Sequence, residues 1–222
     1  MNSSTSSVFP TTLSNNSTRT MFYIIFESTT PSDDELEALS AKYYQQLQEL
    51  LKPQPGFIKE TPYSSASSPG SGVLIASFED EASAHAWRKQ HTHLRIQKDA
   101  RKNIFSAYRV RAGPLFTKES AAAGTRDHLP EPGRTVTIIE EPNDIAPLTH
   151  LDVLRSGGSL SPHVKEMASY GNDDVTIHIV SWASENMALE FMKSEHVRPC
   201  TSVFCVRVAR DYDNVNRAQA PR

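Results

Sequence analysis

The chain has 222 residues, 38% of them hydrophobic and 22% charged, with a formal net charge of −3 and an isoelectric point near 6.2. That balance leaves no basic footprint for nucleic acid, and no apolar run approaches the roughly 20 residues of a membrane span, so a cytoplasmic protein with neither partner is expected. The length suits two small domains of about 100 residues, each able to bury its own core.

Residues 1–20 are rich in Ser, Thr and Asn, with Arg19 as their one basic group, and are expected to form a disordered tail. Met21 to Phe26 reads as a first strand. Ser32-Asp33-Asp34-Glu35 then spells a capping box, and Leu36, Leu39, Tyr43, Leu47 and Leu50 recur at helical spacing down to Lys52, where Pro53 and Pro55 end the helix. Gly56 to Tyr63 predicts a second strand, which Pro62 places near an edge or a bulge. The Ser- and Gly-rich residues 64–72 make a hairpin loop, and Val73 to Phe78 a third strand. Acidic Glu79, Asp80 and Glu81 mark the start of a second helix, on which Ala84, Trp87, His91 and Leu94 share one stripe. From Phe105 to Val110 the residues alternate as a closing strand.

Residues 113–133 lose periodicity and gain Gly and Pro, as a linker does. The pattern then repeats. Thr135 to Glu140 reads as a strand, Pro147 to Arg155 as a shortened helix, and Val164-Lys165-Glu166 echoes Ile58-Lys59-Glu60. Residues 175–196 parallel 73–93, which sets Ser181-Trp182 against Ser77-Phe78, Glu185 against Glu81, Phe191 against Trp87 and Lys193 against Lys89; Phe204 to Val208 repeats the closing strand. Cys200 and Cys205, the two cysteines, sit in or beside that strand and read as free thiols of a reducing compartment. Such a repeat predicts a duplicated domain. The expected divisions are a tail at 1–20, unit one at 21–113, a linker at 114–133, a diverged unit two at 134–211 and a C-terminal tail at 212–222. Each unit reads β-α-β-β-α-β, the ferredoxin-like order of an α+β fold, with two helices on one sheet face. The bare faces of two such sheets, set against each other, would close a barrel within the chain.

Three imidazoles, His85, His91 and His93, fall within nine residues, and a pKa near neutrality suits proton removal from a phenol or an acidic carbon. His91 is the preferred base because it shares the Trp87 stripe. Tyr108 and Arg109 alternate, so at most one faces a given pocket; an arginine there suits an enolate or phenolate oxygen. Each residue also has a plain structural reading, Trp87 as a core aromatic and the histidines as a solvated helix end. Histidines at i and i+2 do not converge on one point, and no carboxylate or cysteine stands at ligand spacing, so no metal site is expected. Phosphate-binding glycine loops and Gly-x-Ser-x-Gly are absent, so neither a nucleotide cofactor nor a serine hydrolase is expected.

Glu81 to Arg88 (EASAHAWR), the His91/His93 break, Gln97 and the closing Tyr108-Arg109, together with the MFYIIFES and PGFIKE segments, resemble the antibiotic biosynthesis monooxygenase (ABM) family over about residues 21–113. The resemblance implies a dimeric α+β barrel, formed here inside one chain, with further homodimerisation allowed. It implies a pocket between the sheet and helices of unit one, with His91, His93 and Arg109 in catalytic roles and Trp87, Tyr108, Tyr23 and Phe78 around a small aromatic substrate. The implied activity is oxidation of an aromatic polyketide-like phenol or anthrone by molecular oxygen, without metal or flavin, because the deprotonated substrate supplies the electrons. Family members that degrade haem use an Asn on strand one and a His ten residues after the Trp; here strand one has no Asn and Gln97 stands at the other position, so haem is not expected. Lyases, decarboxylases and cyclases share the barrel and the base without using oxygen, and a non-catalytic binding barrel is the third reading. One working site per chain is expected, in unit one.

Overall fold

The computed structural model describes residues 20–116, 134–143, 154, 161–194, 197 and 202–220. Most of the N-terminal tail, residues 117–133 of the linker, Cys200 and the helix expected at 147–155, apart from the helical and buried Leu154, lie outside them. Unit one comprises β1 (Phe22–Thr29), α1 (Asp34–Leu51), β2 (Phe57–Ser64), β3 (Ser71–Phe78), α2 (Glu81–Lys89), α3 (His91–Asn103) and β4 (Ala107–Phe116). Unit two comprises β5 (Thr135–Pro142), β6 (Val164–Gly171), β7 (Val175–Trp182), α4 (Glu185–Lys193) and β8 (Ser202–Arg207), followed by a short β9 (Arg210–Asp213). No helix among the described residues is long and apolar enough to cross a membrane.

Both sheets have the ferredoxin-like strand order, β4-β1-β3-β2 in unit one and β8-β5-β7-β6 in unit two. They join edge to edge, at Ser64↔Gly171 between β2 and β6 and at Leu115↔Val206 and Phe116↔Cys205 between β4 and β8. With β1 also paired to β4, eight antiparallel strands close a ring, and closure removes the unpaired edges that an open sheet would expose. Inside it Tyr23, Ile25, Tyr63, Val73 and Ile75 of unit one meet Val136, Ile138, Ile177, Ile179, Val206 and Val208 of unit two. Each such side chain contributes roughly 1.5–3 kcal/mol on burial, so neither sheet's inner face is stable bare. A polar bridge crosses the same interior: buried Arg111 donates from Nη2 to Glu27 Oε2 at 2.7 Å and from Nη1 to Ser181 Oγ at 2.8 Å, and Tyr170 Oη donates to Glu27 Oε1 at 3.0 Å.

The pairing fixes how the units correspond. Phe78 faces Phe22 and Phe57 as Trp182 faces Thr135 and Val164, and α2 and α4 are both nine residues long, so Phe78 matches Trp182 and Trp87 matches Phe191. Two equivalences expected from sequence shift. Register sets Phe57, not Ile58, at the position of Val164, and both strands carry an irregularity at the next step. In the closing strands Val203 takes the place of Val110, since Ile139 pairs with the one as Phe26 pairs with the other.

Local chemistry explains the helix starts. Asp33, rather than Ser32, caps α1, its Oδ1 accepting from the Glu35 and Leu36 N–H groups at 3.0 Å. Asp80 caps α2, accepting from Ser83 N–H and Ser83 Oγ–H at 2.8 Å. Gly56 turns into β2 with φ of 75°, and a Cβ there would stand 2.1 Å from Ser83 Oγ, so the Pro-Gly-Phe turn needs glycine both for its conformation and for the approach of α2. Gly113 serves a second close approach: an added Cβ would meet the Arg207 carbonyl oxygen at 1.8 Å, where β4 passes from β9 to β8. β4 runs to Phe116, inside the segment expected as linker, and β9 pairs with β4 across residues 109–112, occupying the start of the expected C-terminal tail.

Candidate active site

A cavity of about 340 Å³ lies between the unit-one sheet and its helices, within the roughly 300–1,000 Å³ typical of small-molecule sites. Paired residues share a face, so register describes its floor row by row. One row runs Arg210, Ala112, Ile24, Ala76, Glu60; the next runs Tyr212, Val110, Phe26, Leu74, Pro62. All ten line the cavity. The roof follows helical spacing, with Ser40, Tyr43, Tyr44 and Leu47 on α1 and His93, Ile96, Gln97, Ala100 and Arg101 on α3. Tyr43 donates to Asp99 Oδ2 and so ties the two roof helices together.

The expected histidine is replaced by its neighbour. Sequence periodicity carried one helix through His91, but Gln90 takes an extended ψ of 125° and divides it into α2 and α3, with Gln90 Oε1 accepting from His93 N–H at 2.6 Å as the new N-cap. The break ends the stripe: His91 and Leu94 are exposed, and His91 does not line the cavity. His93 folds back instead, with its ring stacked on Trp87 at 4.2 Å between centroids and 15° between planes. Its Nδ1 lies 3.0 Å from the Trp87 carbonyl oxygen, an acceptor, so Nδ1 carries the proton and Nε2 the lone pair. Burial, reinforced by Arg88 and Arg101, pushes the imidazole down to about 4 against the pull of that carbonyl, so His93 is neutral at pH 7. His85 lines the cavity from an exposed position.

Arg109 and Tyr23 lie on the other face of the sheet. Arg109 shares the barrel side with Arg111 and Gly113, and its guanidinium donates Nε and Nη2 to the two oxygens of Asp211 at 2.9 and 2.7 Å and Nη1 to Glu166. Those bonds raise its pKa and occupy the fork that an enolate would need. Tyr23 packs in the barrel interior, 4.8 Å from the Phe204 ring. Phe78 is on the helix side, fully buried behind the cavity against Trp87, Phe22 and Leu51 rather than lining it. Trp87 and Tyr108 do line it; Tyr108 is buried, and its hydroxyl accepts from Arg217.

Glu60 was not singled out by sequence reasoning, and the structure gives it an unusual environment for a carboxylate. It stands at one flank of an apolar floor, burial raises its pKa, and Oε1 is buried without a hydrogen-bond partner. Tyr44 and Gln48 pull its pKa the other way. Tyr44 accepts from Gln48 Nε2 at 2.7 Å, and burial beside Glu60 pushes the phenol up to about 12. A desolvated carboxylate next to a neutral phenol is suited to take a proton from a bound carbon or oxygen acid. The only hint in sequence was a carboxylate beside Pro62 in a strand otherwise alternating toward a helix.

In unit two the described residues place an apolar cluster on the corresponding side of the sheet. Trp182, Phe191, Phe116 and Leu154 form a cluster backed by Met167 and Met192, and Trp182 Nε1 donates to Thr137 Oγ1 at 2.8 Å. Cys205 is buried there as a free thiol, pushed up to about 11 by burial. Among the described residues no group of three or more His, Cys, Asp or Glu is placed to hold a metal ion.

Comparison with known proteins finds similar sequences and structures. Residues 21–99 match the family model for antibiotic biosynthesis monooxygenase. Across 224 aligned positions the chain is 24% identical to the jasmonate monooxygenase ABM of Pyricularia oryzae, spanning 91% of this chain and 97% of that protein. Similar solved structures include a proposed monooxygenase from Lactobacillus acidophilus (12% identity, 88% of this chain and 94% of that one, TM-score 0.38). A variant of SnoaB, a cofactor-independent oxygenase from Streptomyces nogalater, aligns at 17% identity over 49% of this chain and 98% of that one, with a TM-score of 0.35. Over residues 21–99, which supply the first three strands of the floor and most of the roof, the chain is similar to the antibiotic biosynthesis monooxygenase family.

Proposed function

We propose that the unit-one cavity is the active site of a cofactor-independent monooxygenase that oxidises an aromatic polyketide-like phenol or anthrone. The observation that carries the reading is the desolvated carboxylate of Glu60, at the flank of a chamber with an apolar floor and a wall formed by the Trp87–His93 stack. Glu60 takes the substrate proton, Tyr44 offers a hydroxyl to the anion that forms, and the aromatic wall sets the plane of the ring system. For an anthrone the reaction balances without another reductant: one O₂ is consumed, two C–H bonds of one methylene break, one oxygen remains in the new carbonyl and the other leaves in water. All four electrons come from the substrate. The diverged unit two carries an apolar cluster around Trp182 and Phe191, which supports one site per chain; a homodimer would carry two.

The test is oxygen uptake and product analysis with a panel of anthrones and naphthols, with jasmonate added as the compound in the relative's name. Glu60→Gln is expected to lower turnover on the order of a hundredfold and His91→Ala by less than twofold. Substrate loss without oxygen uptake would replace the oxygenase by a lyase or cyclase using the same base; equal losses in the two variants would remove Glu60 from the mechanism.

A further inference from the structure

The flank of the cavity opposite Glu60 is built differently. The floor row from Arg210 to Glu60 crosses four strand-to-strand steps, a path of roughly 19 Å along the curved sheet at about 4.8 Å per step. At the Arg210 end, Arg88 from α2 and Arg101 from α3 line the same cavity, together with Tyr212. Arg210 donates to Glu81 Oε1 at 2.6 Å, but Glu81 is mostly exposed, and among the described residues no carboxylate pairs with Arg88 or Arg101. Burial, Arg210 and Arg101 together make the charge on Arg88 harder to hold, as expected of cations gathered without enough counter-charge. Arg210 and Tyr212 come from β9, so this wall of the unit-one site is supplied by the end of unit two.

The geometry points to an anion subsite formed by Arg88, Arg101 and Arg210, which seats the carboxylate of a substrate whose apolar body crosses the cavity toward Glu60. The inference rests on the proposed monooxygenase reading for the role of Glu60, and it narrows the substrate to a ring-containing carboxylic acid whose acid group lies away from the position deprotonated. Three guanidinium groups favour a carboxylate over its uncharged amide through charge-assisted hydrogen bonds, and the apolar floor between the flanks favours a hydrocarbon span. It also gives the second unit a task besides closing the barrel.

The test is a fluorescence titration of the full chain with anthracene-2-carboxylate and with anthracene-2-carboxamide at fixed ionic strength. The acid is expected to bind at least tenfold more tightly than the amide. Arg88→Gln, Arg101→Gln and Arg210→Gln should each weaken the acid several-fold and leave the amide within twofold, with far-UV circular dichroism showing the fold retained. Equal affinities, no binding of either probe, or equal loss of both in the arginine variants would overturn the anion subsite. Oxygen uptake by the unmutated chain, set beside its acid preference, separates the two ideas. Acid preference retained in a protein that consumes no oxygen with any panel compound would sink the oxygenase and leave the subsite standing; oxygen uptake with no acid preference would do the reverse.

Discussion

His93→Phe should reverse the order of stability between wild type and variant as pH falls. His93 is 8% exposed and buried against Trp87, and its pKa drops from the ordinary 6.5 to about 4. The folded state therefore favours the neutral ring. Between those two values the unfolded chain binds more protons than the folded one, so the contribution is fully present above 6.5 and is lost as pH falls toward 4. The gap corresponds to about 3 kcal/mol by pH 4. Phenylalanine keeps a flat ring on Trp87 but cannot titrate. It loses the Nδ1–H bond to the Trp87 carbonyl, although that oxygen still accepts from Gln90 N–H at 3.1 Å, so the cost at pH 7 is about 1 kcal/mol. Urea denaturation of both proteins at pH 7 and pH 4.5 tests this, because every residue other than 93 is common to both and cancels in the difference. The variant is expected to be weaker at pH 7 and stronger at pH 4.5. A wild-type-minus-variant difference that does not move with pH would refute the buried neutral imidazole.

Phe191→Ala should empty part of the unit-two core and cost about 3–5 kcal/mol, read as a lower melting temperature, while ligand affinity at the unit-one cavity changes by less than twofold; a large change in affinity would mean that unit two shapes the site through more than β9. Gly56→Ala places a methyl group at a φ of 75° and against Ser83 Oγ, and should destabilise by about 1–3 kcal/mol in chemical denaturation; a neutral outcome would show that the turn relaxes freely. Arg111→Met leaves Glu27 in the barrel with Tyr170 but no cation, and should cost about 3 kcal/mol, with Arg111→Met combined with Glu27→Gln recovering part of it; no recovery would argue against ion pairing as the cause.

Periodicity and punctuation made much of this protein legible from sequence. The stripe Tyr43 and Leu47, the acidic start of α2, the Pro-Gly turn and the 104-residue offset between Trp87 and Phe191 are local facts, because helix and strand repeats depend on residues a few positions apart. They place Trp87 over a sheet and Tyr108 and Arg109 on opposite faces before any contact is known. Choosing which face meets the cavity took the β1–β4 register, which turns Tyr108 inward to the helices and Arg109 into the barrel. The choice between His91 and His93 turned on one backbone angle at Gln90, because a broken helix no longer carries its stripe forward. Glu60 and Arg210 lie 150 residues apart and look ordinary in isolation. What distinguishes them is desolvation and crowding of charge, and those exist only once the strands have closed into a ring and the helices have covered one side of it.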